Sequence, residues 1–401
     1  MMKNLVERAK KVMSPALGHY TELPVTHGKG VYLFDEQGNK YLDLAAGIAV
    51  ALTGHSHPKV VKAISQQAKK LIHACAGIVY YEANVELAEK LAQITCFPQA
   101  KTFFSNSGSE AIEGAVKLAR YVTHKPGLVA FAGGFHGRTF GALSLTSSKA
   151  KYLEGYAPLL PDVTILPKEL DALKSIDPSR TAALLIEPVQ GEGGYLPCSK
   201  EFLQGLRNFC SANNIMLIFD EVQCGLGRTG KWFAYEHYDL KPDILVLAKG
   251  IASGMPLGAI IADASIMDQW KPSAHGGTFT GNPVCCAAGL ATLAVVEEEK
   301  LLENTTEVGR YLLESFTKSM KKCRILKDVR GLGLMIGLEL ESNEQVKKVL
   351  ELCLQQKVIL ISCGLHDQVV RLAPPLILKM KDAKKAFKII RQGLLDAQRS
   401  S

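Results

Sequence analysis

Two ionisable positions close two apolar runs, and chemistry is most plainly placed there. Ile215-Met-Leu-Ile-Phe219 ends in Asp220-Glu221, and Ile244-Leu-Val-Leu-Ala248 ends in Lys249. Each run is short, apolar and partly β-branched, the pattern of a buried strand. Open α/β sheets bind ligands at the carboxyl ends of their strands. An acid and an amine delivered to that edge, 29 positions apart in the chain, suit one cofactor chemistry in particular. Pyridoxal phosphate is held by a lysine Schiff base and has its pyridinium nitrogen paired with an aspartate.

Other segments supply what such a site lacks. Ser105-Asn106-Ser107-Gly108-Ser109-Glu110 follows a strand candidate and opens a helix expected over 111–121. Glycine and serine at that junction let backbone amides approach a phosphate at the helix N-terminus, although the same residues would also make an ordinary cap. Phe135-His136-Gly137-Arg138-Thr139 follows the next strand candidate, with an aromatic able to stack on a flat ring and a guanidinium able to clamp a carboxylate. Glu187-Pro-Val-Gln-Gly-Glu-Gly-Gly194 ends a further strand with two acids and three glycines, a loop built for close backbone approach. Arg371 stands before the Pro374-Pro375 turn.

The elements that must position these residues are legible in outline. Residues 1–49 read as a helix followed by a hairpin, Val31–Leu44, around Gln37-Gly38-Asn39. From 50 to 290 strand and helix signals alternate, with strands expected over 101–104, 128–131, 182–186, 216–219, 244–247 and 257–261. Alternation of this kind predicts a large α/β domain with a mostly parallel sheet. Residues 291–401 read as a smaller α+β domain packed with the N-terminal segment. It comprises a helix from Leu290 to Lys322, one strand over Gly331–Leu340, a helix over 343–356, a strand pair around Ile359 and Val370, and a final helix.

Composition narrows the class. The chain has 401 residues, 47% hydrophobic and 21% charged, and no apolar run near the ~20 residues that span a bilayer. Its formal charge of +8 is scattered rather than gathered in a stripe with aromatics, which argues against a nucleic-acid partner. Ten cysteines occur without a CxxC pair, so neither a zinc site nor a disulfide framework is expected. Reduced thiols in apolar contexts point to the cytoplasm, and no metal ligand set is expected.

Taken in order, Ser107–Glu110, Phe135–Thr139, Glu187–Gly194, Asp220-Glu-Val-Gln223, Ala248-Lys249-Gly250 and Gly277-Thr-Phe-Thr-Gly-Asn-Pro283 resemble the class III (ω-) aminotransferases of PLP fold type I. The likeness runs from about residue 20 to about 385. It implies that Lys249 carries the cofactor and shuttles the proton, and that Asp220 pairs with the ring nitrogen. It further implies that Val222 and Phe135 flank the ring, with His136 beside them. Gln223 meets the ring hydroxyl, and Gly108 and Ser109 hold the phosphate. Thr278 reaches the cofactor of a neighbouring subunit in a homodimer with shared sites. For substrates, the resemblance assigns Arg138 to a distal carboxylate and Arg371 to the α-carboxylate of 2-oxoglutarate. Glu192 masks Arg371 when the amine donor is bound, and Ile48 lines the donor side.

The resemblance leaves the amino donor divided. Ala45–Val50 and Ile361–Gly364 are similar to 4-aminobutyrate aminotransferases, the favoured expectation, and Ile112 departs from the asparagine of many acetylornithine-type relatives. The short stretch 167–187 resembles the acetylornithine type, which makes N-acetylornithine or ornithine the alternative donor. An aminomutase or racemase on the same fold is a more distant alternative.

Overall fold

The apolar runs become strands because alternate side chains find an apolar layer on each face. The computed structural model describes residues 3–399. Seven strands form one sheet in the order Ala100–Ser105, Gly258–Asp263, Ile244–Leu247, Met216–Asp220, Thr181–Ile186, Gly127–Phe131 and Val163–Leu166. Neighbours run parallel except Gly258–Asp263, which is antiparallel to both partners. Leu217, Phe219, Leu245 and Leu247 point into the larger core, with Leu87, Leu206 and Leu293 from covering helices. Ile218, Ile244 and Val246 point the other way, onto Ala111, Ala115 and Leu118 of helix Gly108–Thr123. A sheet covered on both faces needs continuous apolar strands, which is why these runs were readable. The fold is the α/β architecture of PLP fold type I.

Val163–Leu166 was not expected. It is an edge strand with Thr164 and Ile165 exposed, so its apolar signal is diluted.

Two smaller sheets complete the frame. The hairpin Tyr32–Phe34 and Lys40–Asp43 pairs on one side with His27–Lys29 and on the other, in parallel, with Val358–Ile359. The N-terminal and C-terminal segments therefore share a sheet. Leu326–Leu332, Met335–Leu340, Val369–Leu372 and Ile361–Cys363 form an antiparallel sheet that carries Arg371.

Three local expectations are corrected. Gly331–Leu340 is not one strand but the corner of a hairpin. Gly333 lies at φ +55, and a Cβ there would sit 2.5 Å from the carbonyl carbon of Thr229. Ile359 and Val370 belong to different sheets, Val370 pairing with Ser362. The helix expected from Leu290 to Lys322 is two helices, Pro283–Glu298 and Leu301–Met320, broken where Lys300 adopts φ +51.

Among the described residues no helix is long and apolar enough to cross a membrane, and no cluster of His, Cys, Asp or Glu could hold a metal ion. All ten cysteines are free thiols.

Candidate active site

Strand ends deliver the central pair. Asp220 is the last residue of Met216–Asp220 and is 3% exposed. Its Oδ2 lies 2.8 Å from His136 Nδ1, and its Oδ1 accepts from the Val222 amide at 3.0 Å. His136 is equally buried, so it touches the site through Asp220. Glu221 turns away: its carboxylate accepts from the Ala234 and Tyr235 amides at 2.6 and 2.8 Å. Burial pushes its carboxyl up to about 8. The two adjacent acids thus have separate environments, one paired with a histidine and one committed to the backbone.

Lys249 follows strand Ile244–Leu247 at φ +43, a left-handed conformation that a non-glycine residue adopts under strain. Burial lowers its ammonium below the ordinary lysine value, against the raising charges of Glu192, Asp220 and Glu187. A depressed amine is more often neutral and so nucleophilic toward a carbonyl.

Helix Gly108–Thr123 starts beside this pair. Ser107 caps it, its Oγ accepting from Glu110 N at 3.2 Å, which leaves Gly108 and Ser109 in the first turn. A Cβ on Gly108 would meet Val222 Cγ1 at 3.0 Å, so Val222 packs against that turn. Ser109 Oγ accepts from the Arg138 amide at 3.1 Å and joins the helix start to the Phe135–Thr139 loop. The same loop is held by Glu187, whose two oxygens take the Phe135 and Gly191 amides at 2.9 Å each. Burial, then the Asp220 charge, raises the Glu187 carboxyl to about 7. Arg138 is exposed and lies over the Tyr152 ring, 4.6 Å from its centroid, while Phe135 meets Tyr152 edge-on at 5.6 Å.

A second charged pair closes the other side. Arg371 is 1% exposed, and its Nη1 donates to Glu192 Oε1 at 2.5 Å. Burial alone would raise the Glu192 carboxyl. Arg371, with Lys249 and Lys149 behind it, holds it below the ordinary carboxylate range.

Ile48 is 40% exposed and sits in an unusual turn. Ala46, Gly47, Ile48 and Ala49 lie at φ +48, +63, +66 and +62, one turn of left-handed helix. Asp43 Oδ1 pins its start by accepting from the Ala45 and Ala46 amides at 2.8 and 3.0 Å, and Asp43 Oδ2 is 2.8 Å from His55 Nε2. Leu52 beyond it packs on Gly250, where a Cβ would meet Leu52 Cδ1 at 2.5 Å. Ala373 N donates to Leu44 O at 2.8 Å, so the turn lies between the Lys249 and Arg371 segments.

Thr278 does not join this cluster. It is exposed in the Gly277–Thr280 turn, beside Phe279, which is 61% exposed. The sequence reading also passed over Glu187's part in holding the Phe135 loop, Tyr152 and Lys149. Glu187 was visible as a strand-ending acid. Tyr152 and Lys149 lie in a polar segment with no periodic signal.

These residues fit pyridoxal phosphate. Gln223 is 6% exposed with its Oε1 buried and unpartnered, an acceptor waiting for a donor. The amide-bearing turn at Gly108, the Asp220 carboxylate and the Lys249 amine are the other three groups that the phosphate, ring nitrogen and aldehyde require. Fold and cluster together define a pyridoxal-phosphate enzyme. Residues 13–394 match Aminotransferase class-III, and the chain belongs to that family of PLP-dependent transaminases. It is 45% identical over 371 residues to the acetylornithine aminotransferase of Methanocaldococcus jannaschii, covering 90% of this chain and 91% of that one. It is 37% identical to the alanine/serine racemase of Pyrococcus horikoshii, covering 98% of this chain and 90% of the other. Its fold superposes on the ornithine aminotransferase of Toxoplasma gondii with a TM-score of 0.94 at 27% identity, covering 100% of this chain and 96% of that one.

Proposed function

We propose that this transaminase moves the terminal amino group of N-acetylornithine to 2-oxoglutarate, in two half-reactions that share one pocket. The relative at 45% identity, an acetylornithine aminotransferase, supports this donor. The 4-aminobutyrate reading, which rested on Ala45–Val50 and Ile361–Gly364, gives way to it. The observation that carries the two-substrate reading is Arg371, fully buried and paired with Glu192.

Bound pyridoxal phosphate supplies an electron sink for the pair left when a proton leaves the amine-bearing carbon. The chain's own groups do the rest. Asp220, oriented by His136, would pair with the ring nitrogen. Gly108 and Ser109 offer amides and Gln223 an acceptor that fix the ring's orientation, with Phe135 and Val222 confining its faces. Lys249 Nζ takes the proton from one carbon and returns it to another. An ω-amine donor has no carboxylate beside its reacting carbon, so Glu192 satisfies Arg371 while Arg138 takes the donor's distal carboxylate. The 2-oxo acid brings an α-carboxylate, which replaces Glu192 on Arg371. A buried guanidinium left without either partner is costly. Glu192→Ala therefore slows the amine half-reaction about tenfold or more beyond any loss in the glutamate half-reaction. Equal losses in the two single-turnover rates would remove the exchange.

Thr278 serves the neighbouring subunit in this reading. Phe279 beside it is 61% exposed, and the segment it meets through His73 carries Ile72, Ile78 and Tyr80 at 64%, 79% and 98% exposed, apolar surface that a second copy would cover. The holoenzyme is accordingly expected at twice the chain's mass in solution. Free thiols throughout suit a reducing cytoplasm.

The donor is tested without any acceptor. Holoenzyme is mixed separately with N-acetylornithine, 4-aminobutyrate and L-alanine, and the loss of the cofactor's visible absorbance is followed. Fast bleaching by N-acetylornithine is expected. Bleaching by 4-aminobutyrate alone would restore the earlier donor. Loss of optical purity of L-alanine without an acceptor would instead favour the racemase reading that the 37% identical relative raises.

A further inference from the structure

One charged group at this site is unused by the chemistry above. Lys149 has a side chain only 5% exposed, although it lies in a polar segment between Thr146 and Tyr152. Its Nζ is paired with Asp367, whose Oδ1 also accepts from Ser362 Oγ at 3.2 Å. Asp367 belongs to the turn Gly364–Gln368, and the Gly364 amide donates to the backbone carbonyl of Glu192 at 2.9 Å. Lys149 is therefore joined, through Asp367, to the turn that is hydrogen-bonded to the Glu192 backbone. Burial works against the Lys149 ammonium, but Asp367, Tyr152 and Glu192 hold it above the ordinary lysine value.

The exchange at Arg371 has an unbalanced half. When an α-carboxylate takes Arg371, the Glu192 carboxylate is displaced inside a pocket where it is 7% exposed. A buried carboxylate needs a new counter-charge or must take up a proton. Arg371 is then occupied. Lys249 is engaged with the reacting carbon. Lys149 remains, an ammonium whose present partner, Asp367, is 24% exposed at its side chain and has Lys151 Nζ at 3.8 Å as a second cation.

We propose that Lys149 is a positioning residue for the acid half-reaction: it receives the displaced Glu192 carboxylate while Asp367 falls back on Lys151 and water. Lys149 thereby makes the pocket selective for 2-oxo acids in one half of the cycle without touching the substrate. This rests on the Glu192–Arg371 exchange of the proposed function.

The test separates this role from simple bracing by the sign of two variants. Glutarate, an unreactive dicarboxylate, is titrated into holoenzyme by calorimetry, and glutamate single-turnover kinetics are measured in parallel. Lys149→Met weakens glutarate binding about tenfold and raises the glutamate concentration for half-maximal rate to match. The amine half-reaction stays within about threefold of wild type, and Lys149→Arg recovers most of the loss. Asp367→Asn does the reverse: it frees Lys149 for Glu192 and leaves glutarate binding unchanged or tighter. If Lys149→Met binds glutarate as wild type does, or both variants weaken binding alike, the receiving role is wrong and the pair is only a brace. If wild-type holoenzyme neither binds glutarate nor reacts with glutamate, the acid half-reaction itself fails, and this inference with it.

Discussion

Lys249→Ala leaves a folded protein whose transamination is slower by about 10⁴-fold, the upper end of what a lost proton-transfer group costs. Two properties of the position set that size. The amine is the group expected to hold the cofactor, and it is also the base placed to move the proton, so one substitution removes both. Stability should change little, because burial already disfavours the charged form of this side chain. The backbone at φ +43 is strained with lysine or with alanine there. A small soluble amine such as methylamine, entering the space left behind, should restore part of the rate in proportion to its concentration. The check is a single-turnover assay with and without methylamine, beside borohydride trapping followed by peptide mapping. Turnover within tenfold of wild type, or a borohydride label on another lysine, would move the chemistry elsewhere.

The second large effect separates two neighbouring acids. Asp220→Asn is expected to lower turnover about 10³-fold while the melting temperature stays within a few degrees, since the amide fits the same space and keeps one bond to His136 or Val222. It loses the fixed negative charge that favours a protonated ring nitrogen. Glu221→Gln is expected to have the opposite profile. Its carboxylate is spent on the Ala234 and Tyr235 amides, and a glutamine can accept from only one of them well. Turnover should fall less than threefold while stability drops by about 1–3 kcal/mol, the cost of one buried unsatisfied donor. Denaturant melts beside steady-state rates test the pair. A large turnover loss in Glu221→Gln with stability intact would mean that the wrong carboxylate has been assigned.

These contrasts show what the sequence could and could not carry. The strand ends were legible because an apolar run stopped at a charged residue, and burial on both faces of the sheet made those runs continuous. The Gly108 helix start was legible as a helix cap at a strand-to-helix junction, and the company of Lys249 and Asp220 gave it a phosphate to hold. Which acid of Asp220-Glu221 faces the ligand was not legible from composition, since strand twist and the loop to Ala234 decide it; the family resemblance supplied it. The Glu192–Arg371 contact joins residues 179 positions apart and depends on how two sheets meet. Lys149 was invisible for the same reason, since its partner Asp367 lies 218 positions away. The break at Lys300 was missed because the residues on both sides are good helix formers, and the chain turns left-handed there at φ +51 and ψ +48. For the donor, short local likenesses around Ala45–Val50 pointed to 4-aminobutyrate and the length of the 167–187 stretch to N-acetylornithine, and the whole-chain similarity to an acetylornithine aminotransferase fits the second better.

The left-handed turn at Ala46–Ala49 bears on how this enzyme could be changed. For residues with a Cβ this conformation costs on the order of 1–2 kcal/mol each, and three of the four carry one. The turn is thus a point of local frustration, maintained by Asp43 and by packing around it rather than by its own preference. Glycine at Ala46 or Ala49 would relax it, and a screen for heat resistance would be drawn to such changes. It would also loosen the turn that carries the exposed Ile48 between the Lys249 and Arg371 segments. Thermostability and donor discrimination are therefore opposed at this turn, and a variant library selected on the first alone would drift toward a broader appetite for amines.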